Sequence, residues 1–175
     1  SLGTIQDELF HAVQADEKMI DKDITVNPMK ISHDAAQPVA YRFQYGSRRM
    51  AVVTDLGTYD DYTVESLKGM DALMLEANHD INMLQVGPYP YYLKQRILGK
   101  RGHLSNELSG KLLSQLMHDN LKAVCLGHLS KENNLEELAY ETVRLEISMS
   151  DNPYKPDDFP IFVANRSELS QMVEI

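Results

Sequence analysis

Three short apolar runs in this chain each stop at an ionisable residue: Met50-Ala51-Val52-Val53-Thr54 at Asp55, Ala72-Leu73-Met74-Leu75 at Glu76, and Ala123-Val124-Cys125-Leu126-Gly127 at His128. Apolar runs this short, bounded by polar residues, have the length of buried strands rather than of helices. Alternating with helical patterns, they predict α/β layering. In such layers ligands and catalytic groups collect at the C-terminal edge of the sheet, where rigid strands end in adjustable loops. A fourth β-prone run, Ile24 to Ile31, leads into Ser32-His33-Asp34. His33, Asp55 and His128 therefore form a nitrogen and oxygen ligand set suited to zinc, manganese or iron, with His79, Asp80 and His103 in neighbouring loops. Taken singly, each has an ordinary reading: a lone histidine after a strand is usually a loop or capping residue, Asp55 can close a turn, and Glu76 can sit at a helix entry. Spacing alone does not choose between them. The functional reading gains because the ordinary ones must all hold together at the ends of successive strands.

The remaining pattern fills in a single domain over residues 1–175. Ile5, Leu9, Phe10 and Val13 have roughly helical spacing and predict a helix or loose lead-in over residues 4–15. Val39 to Tyr45 and Met50 to Thr54 read as strands joined by the hairpin chemistry of Gly46-Ser47-Arg48. Helices are predicted at Thr63 to Leu67 and at Tyr91 to Leu98, with Pro90 near the second one's start. Ser105 is placed to cap a helix through Leu108, Leu112, Leu113 and Leu116. Asn134 with Glu137 forms a candidate capping box for a helix from Leu135 to Ile147. A Pro-containing loop, Asp151 to Pro160, leads to a last strand at Ile161 to Ala164. Gly102-His103-Leu104-Ser105 recurs as Gly127-His128-Leu129-Ser130, which reads as two similar loops.

At 175 residues, 43% hydrophobic and 25% charged, the chain can bury one core. No apolar run approaches the roughly 20 residues needed to span a bilayer. The opening Ser1 to Gln6 lacks a basic segment followed by an apolar one, and the single Cys125 cannot form an internal disulfide, so a reducing cytoplasm is expected. A net charge of −9 disfavours a surface-wide polyanion binder but permits a local basic strip. One such strip is present: Tyr89, Tyr91 and Tyr92 lie beside Lys94, Arg96, Lys100 and Arg101, where aromatic faces can stack on bases and cations meet phosphates. The equal alternative is an amphipathic helix with a solvated face and two buried tyrosines. The sequence has no phosphate-binding Gly-x-x-x-x-Gly-Lys-Ser/Thr loop, no His-Glu-x-x-His and no Gly-x-Ser-x-Gly elbow. Cys125, inside an apolar strand, reads as inert filling.

Five motifs in order, Ile31-Ser32-His33-Asp34-Ala35, Thr54-Asp55-Leu56-Gly57, Glu76-Ala77-Asn78-His79-Asp80, Gly102-His103-Leu104-Ser105-Asn106 and Leu126-Gly127-His128-Leu129-Ser130-Lys131-Glu132-Asn133-Asn134, resemble the later motifs of the YycJ/WalJ/VicX-like metallo-β-lactamase-fold proteins. The resemblance covers nearly the whole chain. It implies an α/β fold of the αββα four-layer sandwich type, present as a C-terminal portion, with two divalent metal ions (zinc, manganese or iron) at one edge of the sheets. It makes His33 and His128 metal ligands and Asp55 the carboxylate that bridges both ions. Glu76 and His103 become the pair in which a carboxylate orients a proton-donating imidazole. His79, Asn78, Asn106, Tyr89, Lys94 and Arg96 are expected to line the substrate path.

The resemblance further implies a two-metal hydrolase in which a bridging hydroxide attacks a phosphodiester, most specifically a 5′-3′ DNA exonuclease with DNA as its partner. The fold also serves small ester, thioester and lactone hydrolases, so the substrate does not follow from it. A catalytically silent regulatory or interaction module is the reading from another class. This sequence lacks the His-x-His-x-Asp-His motif that supplies most metal ligands in the family. A complete site is therefore expected to need a segment upstream of Ser1, and the chain alone to bind metal weakly and hydrolyse little. A sandwich missing strands exposes apolar surface and sheet edges, so self-association is expected too.

Overall fold

The computed structural model describes residues 12 to 175 apart from Gln171. Seven strands form one sheet in sequential order: β1 (Met19–Asp21), β2 (Ile24–Lys30), β3 (Val39–Tyr45), β4 (Arg48–Val53), β5 (Ala72–Glu76), β6 (Ala123–Gly127) and β7 (Ile161–Val163). The first four pair antiparallel and β4 to β7 pair parallel. The change at β4 follows from the connections. Gly46-Ser47 closes a tight hairpin, with Gly46 at φ +57°, whereas each later pair is joined through helices, as parallel neighbours require. The helices are α1 (Asp61–Leu67), α2 (Ile81–Val86), α3 (Tyr91–Leu98), α4 (Asn106–Leu116) and α5 (Glu136–Met149).

Alternation along the strands builds the core. Ala51, Val53, Leu73, Leu75, Val124 and Leu126 point to one face and are buried against Val64 and Leu67 of α1, Leu112, Leu113 and Leu116 of α4, and Ala139, Val143 and Ile147 of α5. Each large side chain among them contributes about 1.5–3 kcal/mol of burial. Tyr41, Phe43, Met50, Val52, Met74, Cys125 and Phe162 alternate onto the opposite face, where they are only half-buried. The described residues thus supply a sheet and one helical layer, two of the four layers of the expected sandwich.

Several sequence expectations need correction. Residues 4–11 of the predicted lead-in helix lie outside the described residues, and residues 12–15 are not helical. β4 starts two residues earlier than predicted because Arg48 and Arg49 pair with Tyr45 and Gln44 across the hairpin. α2 was not anticipated. Asp80, a neighbouring candidate for metal chemistry, instead caps it by accepting the Met83 N–H at 2.7 Å. Ser105 caps α4 as expected, accepting from Leu108 N–H. Asn134 does not form a capping box: α5 begins after Leu135 without a side-chain cap, and the Asn134 amide turns inward.

The loops at the C-terminal edge are packed backbone to backbone. Gly57 N–H donates to Ser32 O at 2.8 Å, and Ser32 Oγ donates to Lys100 O at 2.8 Å. At Gly102 a Cβ would lie 2.1 Å from Ile97 O and 2.3 Å from Arg96 O, closer than atoms can approach. Gly102→Ala should therefore cost about 3 kcal/mol in chemical denaturation, the scale of an overpacked core. A loss below about 0.5 kcal/mol would mean that this loop is not held against the end of α3.

Candidate active site

The ends of β2, β4, β5 and β6 and the loop before α4 bring five ionisable side chains together. Asp55 Oδ1 is the centre: His33 Nε2 lies 3.7 Å from it, His128 Nε2 3.8 Å and His103 Nδ1 3.8 Å. Asp55 and His128 have φ of +60° and +57°, the left-handed region that non-glycine residues rarely occupy. Strained backbone of this kind collects at functional sites, where surrounding structure enforces it. For His128 the enforcement is visible, since Asn78 Nδ2 donates to its carbonyl at 2.8 Å.

Beneath this cluster Glu76 is fully buried and organises it. Its Oε1 accepts from His103 Nδ1 at 2.8 Å and from His128 Nδ1 at 2.7 Å, and its Oε2 accepts the Leu56 N–H at 2.7 Å. Burial alone would raise the Glu76 carboxyl, but these hydrogen bonds outweigh it and hold the group below its ordinary value. The same bond raises the His128 imidazole, against opposing burial. The sequence reading paired Glu76 with His103 only; its grip on His128 is new.

Tautomers follow from these bonds. His33 Nδ1 donates to Gly102 O at 3.0 Å and His128 Nδ1 to Glu76, which leaves both Nε2 lone pairs facing Asp55. His103 approaches Asp55 with the nitrogen already bound to Glu76, so its Nε2 is not the atom directed at that carboxylate. Ligand atoms of His33, Asp55 and His103, and of Glu76, His103 and His128, lie within 4.8 Å of one another. Nitrogen and oxygen donors at this spacing, with their outer nitrogens already tied, suit a divalent metal ion.

A cavity of about 540 Å³ opens over the cluster, lined by Asn78, Tyr89, Arg96, Lys131 and Arg166 among others. Arg96 is held by two hydrogen bonds to Asp34, whose carboxyl that guanidinium lowers. Lys131 and Arg166 were not singled out from sequence. Lys131 sits in the last motif and was open to that inference; Arg166, far along the chain, carried no local signal. Tyr91 and Tyr92 are exposed, so α3 does not bury them, while Lys94 Nζ is engaged by Gln85 O.

Lys94, expected to line the substrate path, is not among the cavity's lining residues, and two further expected contacts are buried. Asn106 is wholly buried, its amide exchanging hydrogen bonds with Asn134 at 2.9 Å in each direction. Asn134 also donates to Ala77 O and Asn78 O, so it ties together the loops that carry Glu76, His103 and His128. Sequence reasoning missed it because Asn followed three residues later by Glu has the spacing of a cap. His79 is 1% exposed and neither ring nitrogen has a hydrogen-bond partner among the described residues. Both therefore support the site from below instead of lining it.

Burial lowers the His79 imidazole from an ordinary 6.5 to about 4. The folded state thus resists a proton that the unfolded chain accepts, and stability falls as pH drops from 6.5 towards 4. Between pH 6.5 and about pH 5 the share due to His79 is about 2 kcal/mol, and it should be missing from the denaturation curves of His79→Gln. Parallel losses in both proteins would show that His79 is not held neutral by burial.

No family model matches the chain. It is 35% identical over 150 residues to the exodeoxyribonuclease WalJ of Streptococcus pneumoniae serotype 2, covering 86% of this chain and 56% of the relative. It is 40% identical over 121 residues to the exodeoxyribonuclease YycJ of Bacillus anthracis, covering 69% and 46%. The chain spans about half the length of these curated relatives. Among solved structures it superposes on the metallo-β-lactamase fold protein YhfI from Bacillus subtilis with a TM-score of 0.62 at 16% identity, covering 88% of this chain and 52% of that one. It matches Zn(2+)-bound PqqB from Methylobacterium extorquens with a TM-score of 0.51 at 12% identity, covering 85% and 52%. The sheet agrees with these structural matches: the chain has the metallo-β-lactamase fold and is, over most of its length, a relative of the YycJ and WalJ proteins.

Proposed function

We propose that this chain supplies one side of the active site of a metal-dependent phosphodiesterase, a cytoplasmic 5′-3′ exonuclease acting on DNA. The observation that carries the reading is the Asp55 carboxylate within 3.8 Å of three imidazoles, two of them gripped by one buried glutamate. The names of the WalJ and YycJ relatives support the substrate.

His33, Asp55 and His128 are the side chains that would hold divalent metal. Zinc, manganese or iron bound there would supply Lewis-acid polarisation of the phosphodiester and a more acidic water. This chain's own contribution is orientation and proton transfer. Glu76 fixes the His103 ring through Nδ1–H. As an imidazolium with both nitrogens protonated, the ring would hand its Nε2 proton to the departing oxygen and be left as the neutral Nδ1–H form. Arg96, Lys131 and Arg166 bring positive charge to the rim of the cavity, and exposed Tyr91 and Tyr92 offer faces for stacking.

The test is hydrolysis of 5′-labelled DNA by the full-length protein with zinc or manganese, read alongside binding at increasing salt. A nuclease releases nucleotides from the 5′ end and loses binding steeply as salt rises. Hydrolysis of small esters with no salt-dependent DNA binding would favour the small-molecule rival, and a full-length protein that binds no metal and hydrolyses neither substrate the silent module.

The half-buried apolar face of the sheet supports self-association of the isolated chain. Light scattering should give a mass above the 19.9 kDa monomer. A monodisperse monomer at high concentration would contradict this.

A further inference from the structure

The opposite edge of the sheet carries a second concentration of charge. There the start of β4, the turn before β5 and the turn before β6 enclose an open groove of about 710 Å³, lined by Arg48, Arg49, Lys68 and Lys122. Such a grouping is unusual in a chain of net charge −9. Nearby carboxylates offset it only in part, and one of them directly pairs with a groove cation, Lys68. Asp71, on the groove wall, accepts the backbone N–H of Arg49 at 2.7 Å. Asp119 accepts the Tyr154 hydroxyl at 2.8 Å, and Glu65 pairs with Lys68. Among the described residues Arg48, Arg49 and Lys122 have no ion-pair partner.

These cations are also placed by the fold. The Arg49 guanidinium rests on Gly69, where a Cβ would lie 3.0 Å from Nη2; Gly69 itself is at φ +71°. Asp71 N–H donates to Arg49 O and Lys122 N–H donates to Asp71 O, each at 2.7 Å, so one residue braces both cation-bearing segments. Like charges held together on a rigid rim repel one another, and an anion placed between them relieves the repulsion.

We infer that this groove is a second nucleic-acid contact, binding the phosphodiester backbone of a single strand at the edge of the sheet away from Asp55. The inference rests on the nuclease reading for its ligand. β5 separates the two edges by five residues, about 17 Å at the usual rise per residue, so only a strand of several nucleotides engages both. The groove would then add affinity for longer DNA without touching the reacting bond.

The test uses the full-length protein in EDTA, where hydrolysis does not enter, with a fluorescent 20-nucleotide oligothymidine and anisotropy at increasing salt. R48A/R49A/K122A removes three exposed cations and should leave the melting temperature unchanged. It should bind the oligonucleotide at least about 10-fold more weakly at low salt and lower the salt slope by about 2, at roughly 0.7 per phosphate contact. With metal present, hydrolysis of a dinucleotide should be unaffected. K122E alone, as a second variant, should weaken binding in the same direction. Wild-type affinity and slope in both variants would overturn the proposal, as would absence of oligonucleotide binding by the wild type. An inactive protein whose binding still falls in the triple variant would sink the nuclease reading and keep the groove.

Discussion

Replacing Glu76 with alanine should leave two imidazoles and the Leu56 N–H without their buried acceptor. The expected loss is about 3 kcal/mol or more, because removing one partner of a buried, hydrogen-bonded group strands the others. Glu76→Gln separates stability from function. The amide keeps the volume but replaces a carboxylate that accepts from three donors with a group that has one acceptor oxygen and no charge. It should retain most of the fold while metal affinity in the full-length protein drops about 10- to 100-fold through a loosened His128. Glu76→Gln with wild-type metal affinity and turnover would show that the buried carboxylate serves packing alone.

Asp55→Asn should be the most damaging change to function. Asparagine tolerates the left-handed backbone at φ +60°, so the loop is kept and only the charge at the centre is lost. Without that carboxylate the Nε2 atoms of His33 and His128 have no shared anionic ligand between them. Metal content should fall to background, and turnover by about 10³-fold or more, the scale of several kcal/mol of charge stabilisation. Retained stoichiometric metal would place the centre elsewhere. Denaturation should move little, since Asp55 is only partly buried and its side chain makes no hydrogen bond among the described residues.

The parts of the fold that were legible are those where local pattern and burial agree. The runs ending at Asp55, Glu76 and His128 are β4, β5 and β6, and Tyr91–Leu98 is α3 to the residue. Their convergence on one edge follows from parallel pairing, which puts every strand's C-terminus on the same side. What was not legible depends on contacts across long stretches of chain. Asn134 looked like a cap because its partners, Ala77 and Asn106, lie dozens of residues upstream. His79 and Asn106 belong to the motifs that carry the resemblance and were expected in the substrate path on that ground; the fold buries both. Glu76 holding two histidines on one oxygen is likewise geometry that spacing does not encode.

The proposed division of roles within the cluster is central: His33, Asp55 and His128 would hold metal, and His103 would move a proton. Elemental analysis and single-turnover kinetics of His103→Ala in the full-length protein test it most directly. The account predicts wild-type metal content with the chemical step slowed on the order of 10²-fold or more. Loss of the metal from His103→Ala would contradict it and make His103 a ligand.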